Sequence, residues 1–220
     1  MPGKDAANPN KLTLPDWVEV CGSVSHETLQ KCEIYQSLLQ KWQKTINLVG
    51  PSTLAESGIR HFADSLQILP LIPKDARTLY DLGSGAGFPG LVLAIARPDL
   101  SVHLVESDQR KATFLRSVSR ETFTPVIIHN ERVENVDIAG AVPDVVTARA
   151  LADLETLLTL TQNWRKENPN MVFIFPKGER AEGELATAQR FFSFEVEKIP
   201  SRTGSNATVL VLKNVKDSCE

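Results

Sequence analysis

Cysteine is scarce in this chain and poorly placed for most cysteine chemistry. Cys21, Cys32 and Cys219 are the three in 220 residues, and they form no C-x-x-C pair and no even set. That excludes a disulfide framework and a cysteine-built metal site, and it points to reduced thiols in a cytosolic protein. No apolar run approaches the roughly 20 residues needed to span a bilayer. The first eleven residues are polar, without the apolar core of a signal peptide. Nor is there a charge excess of one sign: 24 basic against 27 acidic residues leave a net charge of −3. No global field draws this protein to nucleic acid, so any contact with RNA rests on basic residues gathered locally.

What the chain does have is a glycine loop. Leu79-Tyr80-Asp81-Leu82 reads as an apolar strand ending near an acid, Gly83-Ser84-Gly85-Ala86-Gly87-Phe88-Pro89-Gly90 carries a glycine at alternate positions, and Leu91–Ala96 continues as a helix. Alternating glycines permit a tight turn and let a ligand lie against main-chain N–H groups. Two fingerprints overlap here. Gly85, Gly87 and Gly90 fit G-x-G-x-x-G, the dinucleotide loop. Gly83, Gly85 and Gly87 fit the G-x-G-x-G loop of S-adenosylmethionine (SAM) enzymes. The second begins two residues past Asp81 and the first four, which is late for the glycine that makes the first turn. Glu106 closes the next strand nineteen positions after Gly87. An acid there accepts ribose hydroxyls of either cofactor.

At 220 residues the chain makes one domain with an extension. Residues 1–11 read as a disordered tail, residues 12–73 as a helical extension and residues 74–220 as the cofactor-binding domain. Within the extension a helix is expected from about Pro15 to Cys21, and a long one capped by Ser25 and running to about Thr45. Leu29, Cys32, Leu39, Trp42 and Ile46 recur on one face of the long helix and are expected to be buried, with Trp42 a core residue. Ser52 is placed as the cap of a short helix, and a further helix runs from about Ile59 to Leu69. From Thr78 onward strands are expected at Thr78–Asp81, Val102–Glu106, Val126–His129, Val145–Ala148, Met171–Phe175, Phe194–Lys198 and Ala207–Leu212, with helical segments separating the first six. Such alternation implies a parallel sheet covered on both faces. The link between the sixth and seventh strands is too short for a crossover helix, so the seventh should run antiparallel. An α/β, Rossmann-like sheet of seven strands with an antiparallel last strand is the class I SAM-dependent methyltransferase architecture. It favours SAM over a dinucleotide.

Ligands of such sheets sit beyond the carboxyl ends of the strands. Val133 and Glu134, after the third strand, are candidates to hold an adenine. Arg149, after the fourth, is placed to grip a methionine carboxylate or a substrate phosphate. Lys177, after the fifth, is a candidate phosphate contact, as are Arg116 on the helix that also carries Arg110, Lys111 and Arg120, and Arg202 in the last hairpin loop. Thr147-Ala148-Arg149-Ala150 lacks the Asn or Asp, two prolines and aromatic used on exocyclic amines. No cysteine follows a strand, and no convincing base does, His129 being better read as a strand-end core residue. An acceptor with its own lone pair, such as guanine N7, needs neither.

Together these stretches resemble the RsmG family, also called glucose-inhibited division protein B, bacterial enzymes that methylate guanine N7 in 16S ribosomal RNA. The resemblance runs from about residue 28 to the last strand. It rests on Lys41–Leu48, Arg60-His61-Phe62-Ala63-Asp64-Ser65, Asp81–Gly90, Arg132-Val133-Glu134, Arg149-Ala150 and Lys177-Gly178. It implies SAM contacts at Gly83, Phe88, Val133, Glu134 and Arg149, and a role for His61 and Asp64 in shaping the acceptor pocket. It also implies a cytoplasmic monomer acting on 16S rRNA or the small ribosomal subunit, away from membranes. Ile46, Leu151 and Asn206-Ala207 depart from residues common in the family, which bears on RNA contacts more than on the cofactor. The remaining alternatives are a methyltransferase of another RNA or of a small molecule, and a NAD-dependent oxidoreductase or nucleotide-binding module.

Overall fold

A computed structural model describes residues 24–218. The expected tail and the Pro15–Cys21 helix lie outside the described residues, as do Cys21 and Cys219; Cys32 is buried. Helix α1 spans His26–Trp42, and Ser25 caps it by accepting the Thr28 N–H at 3.1 Å. Cys32, Tyr35 and Leu39 are fully buried along one face, whereas Leu29, Trp42 and Ile46 are half-buried. Trp42 meets Phe114 edge-on at 5.7 Å and is a core residue.

The next segment differs from expectation. Helix α2 (Pro51–Leu54) is capped by Gly50 rather than Ser52, because Pro51 takes the first helical position, where no N–H is needed. In place of one helix from Ile59 to Leu69, a π-helical turn at Gly58–Ala63 leads into α3 (Asp64–Leu66), and a 3-10 turn at Leu69–Leu71 follows around Pro70. A wider turn of this kind is frequent where a chain carries functional side chains.

The sheet consists of β1 (Thr78–Leu82), β2 (Ser101–Val105), β3 (Ile127–His129), β4 (Val145–Ala148), β5 (Val172–Lys177), β6 (Phe192–Pro200) and β7 (Thr208–Asp217), in the order β3-β2-β1-β4-β5-β7-β6. The first five are parallel, and β7 runs antiparallel between β5 and β6. The hairpin strands are longer than expected. Their added residues include Lys213 and Lys216, where β7 runs past its pairing with β5 and pairs with β6, and such a stretch carries charged side chains without an apolar run to announce it. Helices α4 (Gly90–Ala96), α5 (Gln109–Glu121), α6 (Leu154–Leu160), α7 (Gln162–Glu167) and α8 (Ala181–Ala188) complete the crossovers. The expectation of a helical segment between β3 and β4 is corrected to a single 3-10 turn at Val133–Asn135. Val133, Val136 and Ile138 bury their side chains at spacings that do not suit a long helix, and Pro143 follows.

Alternate residues of the strands feed two cores. Leu79 and Val145 join one core with Tyr35, Leu39, Phe62, Leu66 and α4, while Tyr80 and Val146 join the other with Leu157, Trp164 and Phe173. The extension therefore shares a core with one face of the sheet. At roughly 1.5–3 kcal/mol for each large apolar side chain removed from water, Leu39, Phe62 and Leu66 contribute to holding it there. Strand order reverses between β1 and β4, and this switch point is where a crevice opens at the carboxyl ends.

Candidate active site

The glycine loop leaves β1 with Gly83, Gly85 and Gly87 at φ of 61°, 57° and 91°, a region that side chains disfavour. The three glycines face different surroundings. A Cβ on Gly87 would overlap the Tyr35 hydroxyl, and one on Gly83 would lie 2.5 Å from Leu151 Cδ1. A Cβ on Gly85 would meet nothing nearer than the Gly83 carbonyl at 3.8 Å, so the loop is open there. Glu106 pins it: its Oε2 accepts the Gly85 N–H at 2.8 Å and its Oε1 the Asp108 N–H at 2.7 Å. Each carboxylate oxygen keeps a second acceptor position, which suits a pair of ribose hydroxyls. Beyond β3, Val133 is buried and Glu134 exposed, and the first N–H groups of their 3-10 turn have no partner within the turn. This donor set fits the cofactor with its ribose at Glu106 and its adenine at Val133 and Glu134.

Under the loop, Asp81 is fully buried and bridges the switch point by accepting the Thr147 hydroxyl at 2.8 Å. Among the described residues its Oδ2 has no hydrogen-bond partner, although the Gly90 main chain favours the charged form. Burial pushes the Asp81 carboxyl up to about 6, partly opposed by Thr147.

The extension closes over the far side of the loop. The Phe88 ring stacks on Tyr35 at 5.3 Å and on His61 at 5.0 Å, meets Phe62 edge-on at 5.1 Å, and lies 5.1 Å from the Arg149 guanidinium. The Tyr35 hydroxyl donates to the Ala86 carbonyl. With its ring so enclosed, Phe88 has only its main chain to offer a ligand. Tyr35 went unnoticed in the sequence although it sits three residues after Cys32 and four before Leu39, on the same helical face.

Arg149 leaves β4 just before Ala150, which holds a φ of 56°. Its Nη2 donates to His61 Nδ1 at 3.0 Å, and its Nη1 lies 3.3 Å from Asp64 Oδ2 and 3.2 Å from the Arg60 carbonyl. Since His61 Nδ1 accepts, its proton sits on Nε2 and is donated to Thr53 Oγ1 at 3.0 Å. Burial and then the Arg149 charge bring the His61 pKa down to about 4, so the ring is neutral at physiological pH. His61, Asp64 and Arg149 are thus one cluster, assembled from two parts of the chain 85 or more residues apart.

A cavity of about 860 Å³ opens beside this cluster, lined by Asp64, Gln67, Arg149, Leu151, Lys177 and Thr203 among others. The glycine loop and Glu106 do not line it; Leu151 lines it and packs close to Gly83. Lys177 reaches this wall with its ammonium already engaged, 2.7 Å from Glu184 Oε2 and donating to the Ala152 carbonyl at 2.9 Å, with only 8% of its side chain exposed. Arg116 is exposed on α5 and does not line the cavity. Arg202 lies in the hairpin loop whose Ser201, Thr203 and Gly204 form the opposite wall. His129, expected to be buried, is half-buried at the sheet edge, where it bonds His103 at 2.9 Å and stacks with Tyr80.

The titrating groups oppose one another. For His103, burial and then His129 lower the pKa to about 4, as for His61; both contribute stability present above an unfolded value of about 6.5 and lost as pH falls toward 4. Asp81, raised, acts in the other sense, its stability present below about 3.9 and lost as pH rises through about 6. Burial lowers His129 as well, so with three histidines against one carboxyl the melting temperature is expected to fall between pH 6.5 and 4. Differential scanning calorimetry checks this, and His103→Phe should make the fall shallower.

A family model described as rRNA small subunit methyltransferase G matches residues 28–209. The chain is 48% identical over 192 residues to the ribosomal RNA small subunit methyltransferase G of Rhodospirillum centenum, covering 87% of each chain. It is 48% identical over 202 residues to the protein of that name from Paramagnetospirillum magneticum, covering 91% of this chain and 96% of the relative. Among solved structures, an O-methyltransferase from Streptomyces achromogenes in complex with SAM superposes with a TM-score of 0.57 at 14% identity, over 92% of this chain and 97% of that one. A ribosomal protein L11 methylase from Lactobacillus delbrueckii does so with 0.51 at 16% identity, over 70% and 78%. At such identities the likeness is one of fold.

Proposed function

The chain belongs to the rRNA small subunit methyltransferase G family, and from that premise we propose that it transfers a methyl group from SAM to N7 of a guanine in 16S ribosomal RNA. The observation that carries the reading is the open face of Gly85 beside Glu106, with Leu151 packed close to the neighbouring Gly83 and lining, with Arg149, a polar cleft. SAM, when bound, supplies an electrophilic methyl carbon on a cationic sulfur. Gly83, Gly85, Glu106, Val133 and Glu134 hold it, with Phe88 contributing its main chain.

The rest of the work is positional. Guanine N7 offers a lone pair without losing a proton, so the transfer calls for alignment and charge stabilisation rather than a general base. His61 is neutral and both its ring nitrogens are bonded, so it orients Arg149 rather than taking a proton. Arg149, rigid among His61, Asp64 and Phe88, sets the cleft's floor and presents a planar cation to RNA phosphate or to the methionine carboxylate. Asp64 fixes that cation and shapes the wall where the base enters.

The test is methyl mapping. Incubation with methyl-labelled SAM and either naked 16S rRNA or assembled small subunits should place label on one guanine N7, read as strand scission after reduction and aniline treatment. Label on another atom, or tight NAD binding without SAM binding in calorimetry, overturns the reading.

A further inference from the structure

The extension and the last hairpin are joined by a polar clasp built around Gln67. Its side chain is buried, and every polar group of the amide is used. Gln67 Nε2 donates to Asp64 Oδ1 at 2.7 Å and to Ser201 Oγ at 3.2 Å, and its Oε1 accepts the Arg202 main-chain N–H at 2.9 Å. Thr203 Oγ1 donates to the same Asp64 oxygen at 2.5 Å. The other Asp64 oxygen faces Arg149. One continuous set of hydrogen bonds therefore runs from the end of β4, through the extension, to a loop more than 130 residues further along the chain than Gln67.

The clasp sits in the cleft wall, since Asp64, Gln67, Ser201, Thr203 and Gly204 all line the cavity. Elsewhere in the loop, Asn206 donates to Glu179 at 2.9 Å. A hydrogen-bonded amide fixes direction where apolar packing would fix only proximity. We propose that Gln67 is a positioning residue for the RNA acceptor. It sets the height and angle of the 201–206 loop, and with it the exposed Arg202, against the cleft, and it turns Asp64 so that its free oxygen holds Arg149. This rests on the acceptor being RNA.

Gln67→Leu keeps volume and removes the clasp; Thr203→Val keeps shape and removes the donor to Asp64 together with that hydroxyl's contacts to Ser201 and Gln67. Both are compared with the full-length wild type for methyl transfer to a 16S rRNA fragment containing the methylated site and to small subunits, for SAM affinity by calorimetry, and for melting temperature. Each variant should raise KM for RNA roughly tenfold, the equivalent of one or two lost hydrogen bonds, with SAM affinity within about twofold of wild type. The double variant should be little worse than the worse single one, because both act through Asp64. The salt dependence of RNA binding should also flatten by about one phosphate contact as Arg202 loses its place. If Gln67→Leu fails to fold, Thr203→Val alone decides. Wild-type KM in both variants, or equal losses of SAM affinity and RNA affinity, overturns the proposal. A wild-type protein that methylates neither RNA overturns instead the functional reading on which it stands.

Discussion

Arg149→Ala should lower kcat/KM for RNA methylation by about 10²–10³-fold, an effect of the size seen when a preorganised cationic or donor group is removed from a reacting centre. The guanidinium is held on His61 Nδ1, Asp64, the Arg60 carbonyl and the face of Phe88, so its position is determined from four directions. Its removal also leaves the Asp64 carboxylate, only 17% exposed in its side chain, without its cation. Breaking one half of such a pair costs about 3–5 kcal/mol when fully buried and less at this partial exposure. Some loss of melting temperature should therefore accompany the loss of rate. Arg149→Lys should recover only part of it, because a single ammonium cannot meet three acceptors and a ring in one plane. Steady-state kinetics with small subunits, paired with SAM calorimetry, separate the contributions. The larger loss should fall on RNA turnover, since Arg149 lines the cleft and not the glycine loop. Activity within about threefold of wild type would remove Arg149 from the centre of the mechanism.

The second large effect divides two glycines only two residues apart. Gly87→Ala should unfold the protein or cost about 3 kcal/mol or more. A left-handed backbone costs an L-residue roughly 1–2 kcal/mol, and forcing a methyl group among Tyr35, Leu115 and Leu91 adds about 1–3 kcal/mol. Gly85→Ala carries the same backbone cost but meets open space, so it should fold, lose about 1–2 kcal/mol, and bind SAM far more weakly because its methyl group fills the cradle. Urea unfolding and calorimetry on the two variants check the contrast. A Gly85→Ala protein that binds SAM like wild type would show that the cofactor does not lie against that face.

Much of the sheet was legible because strands covered on both faces are short apolar runs ended by acids, glycines and prolines. Val145–Ala148 was located to the residue, and Ser25 as a helix cap, because both signals are local. The π-helical turn was not legible. Its residues fit an ordinary helical pattern, and what sets them apart is that adjacent His61 and Phe62 both pack on Phe88 from elsewhere in the chain. The link from β3 to β4 misled for a related reason: its apolar residues are buried by the face they cross rather than by a helix of their own.

The candidate site divides along the same line. By itself the sequence determined the glycines, because φ above zero is a property of the backbone that few residues tolerate, and it determined the strand-end residues Glu106 and Arg149, because sheet topology places them at the crevice. Only the tertiary structure decided what those residues touch. It gave Phe88 to the extension's aromatic stack, closed Lys177 onto Glu184, and brought Gln67 and Thr203 together on Asp64. Those contacts join segments up to 139 residues apart. Hydrogen bonds and ring contacts act over a few ångströms in space, and along the chain no periodicity or motif records which distant side chains the fold will bring within that range.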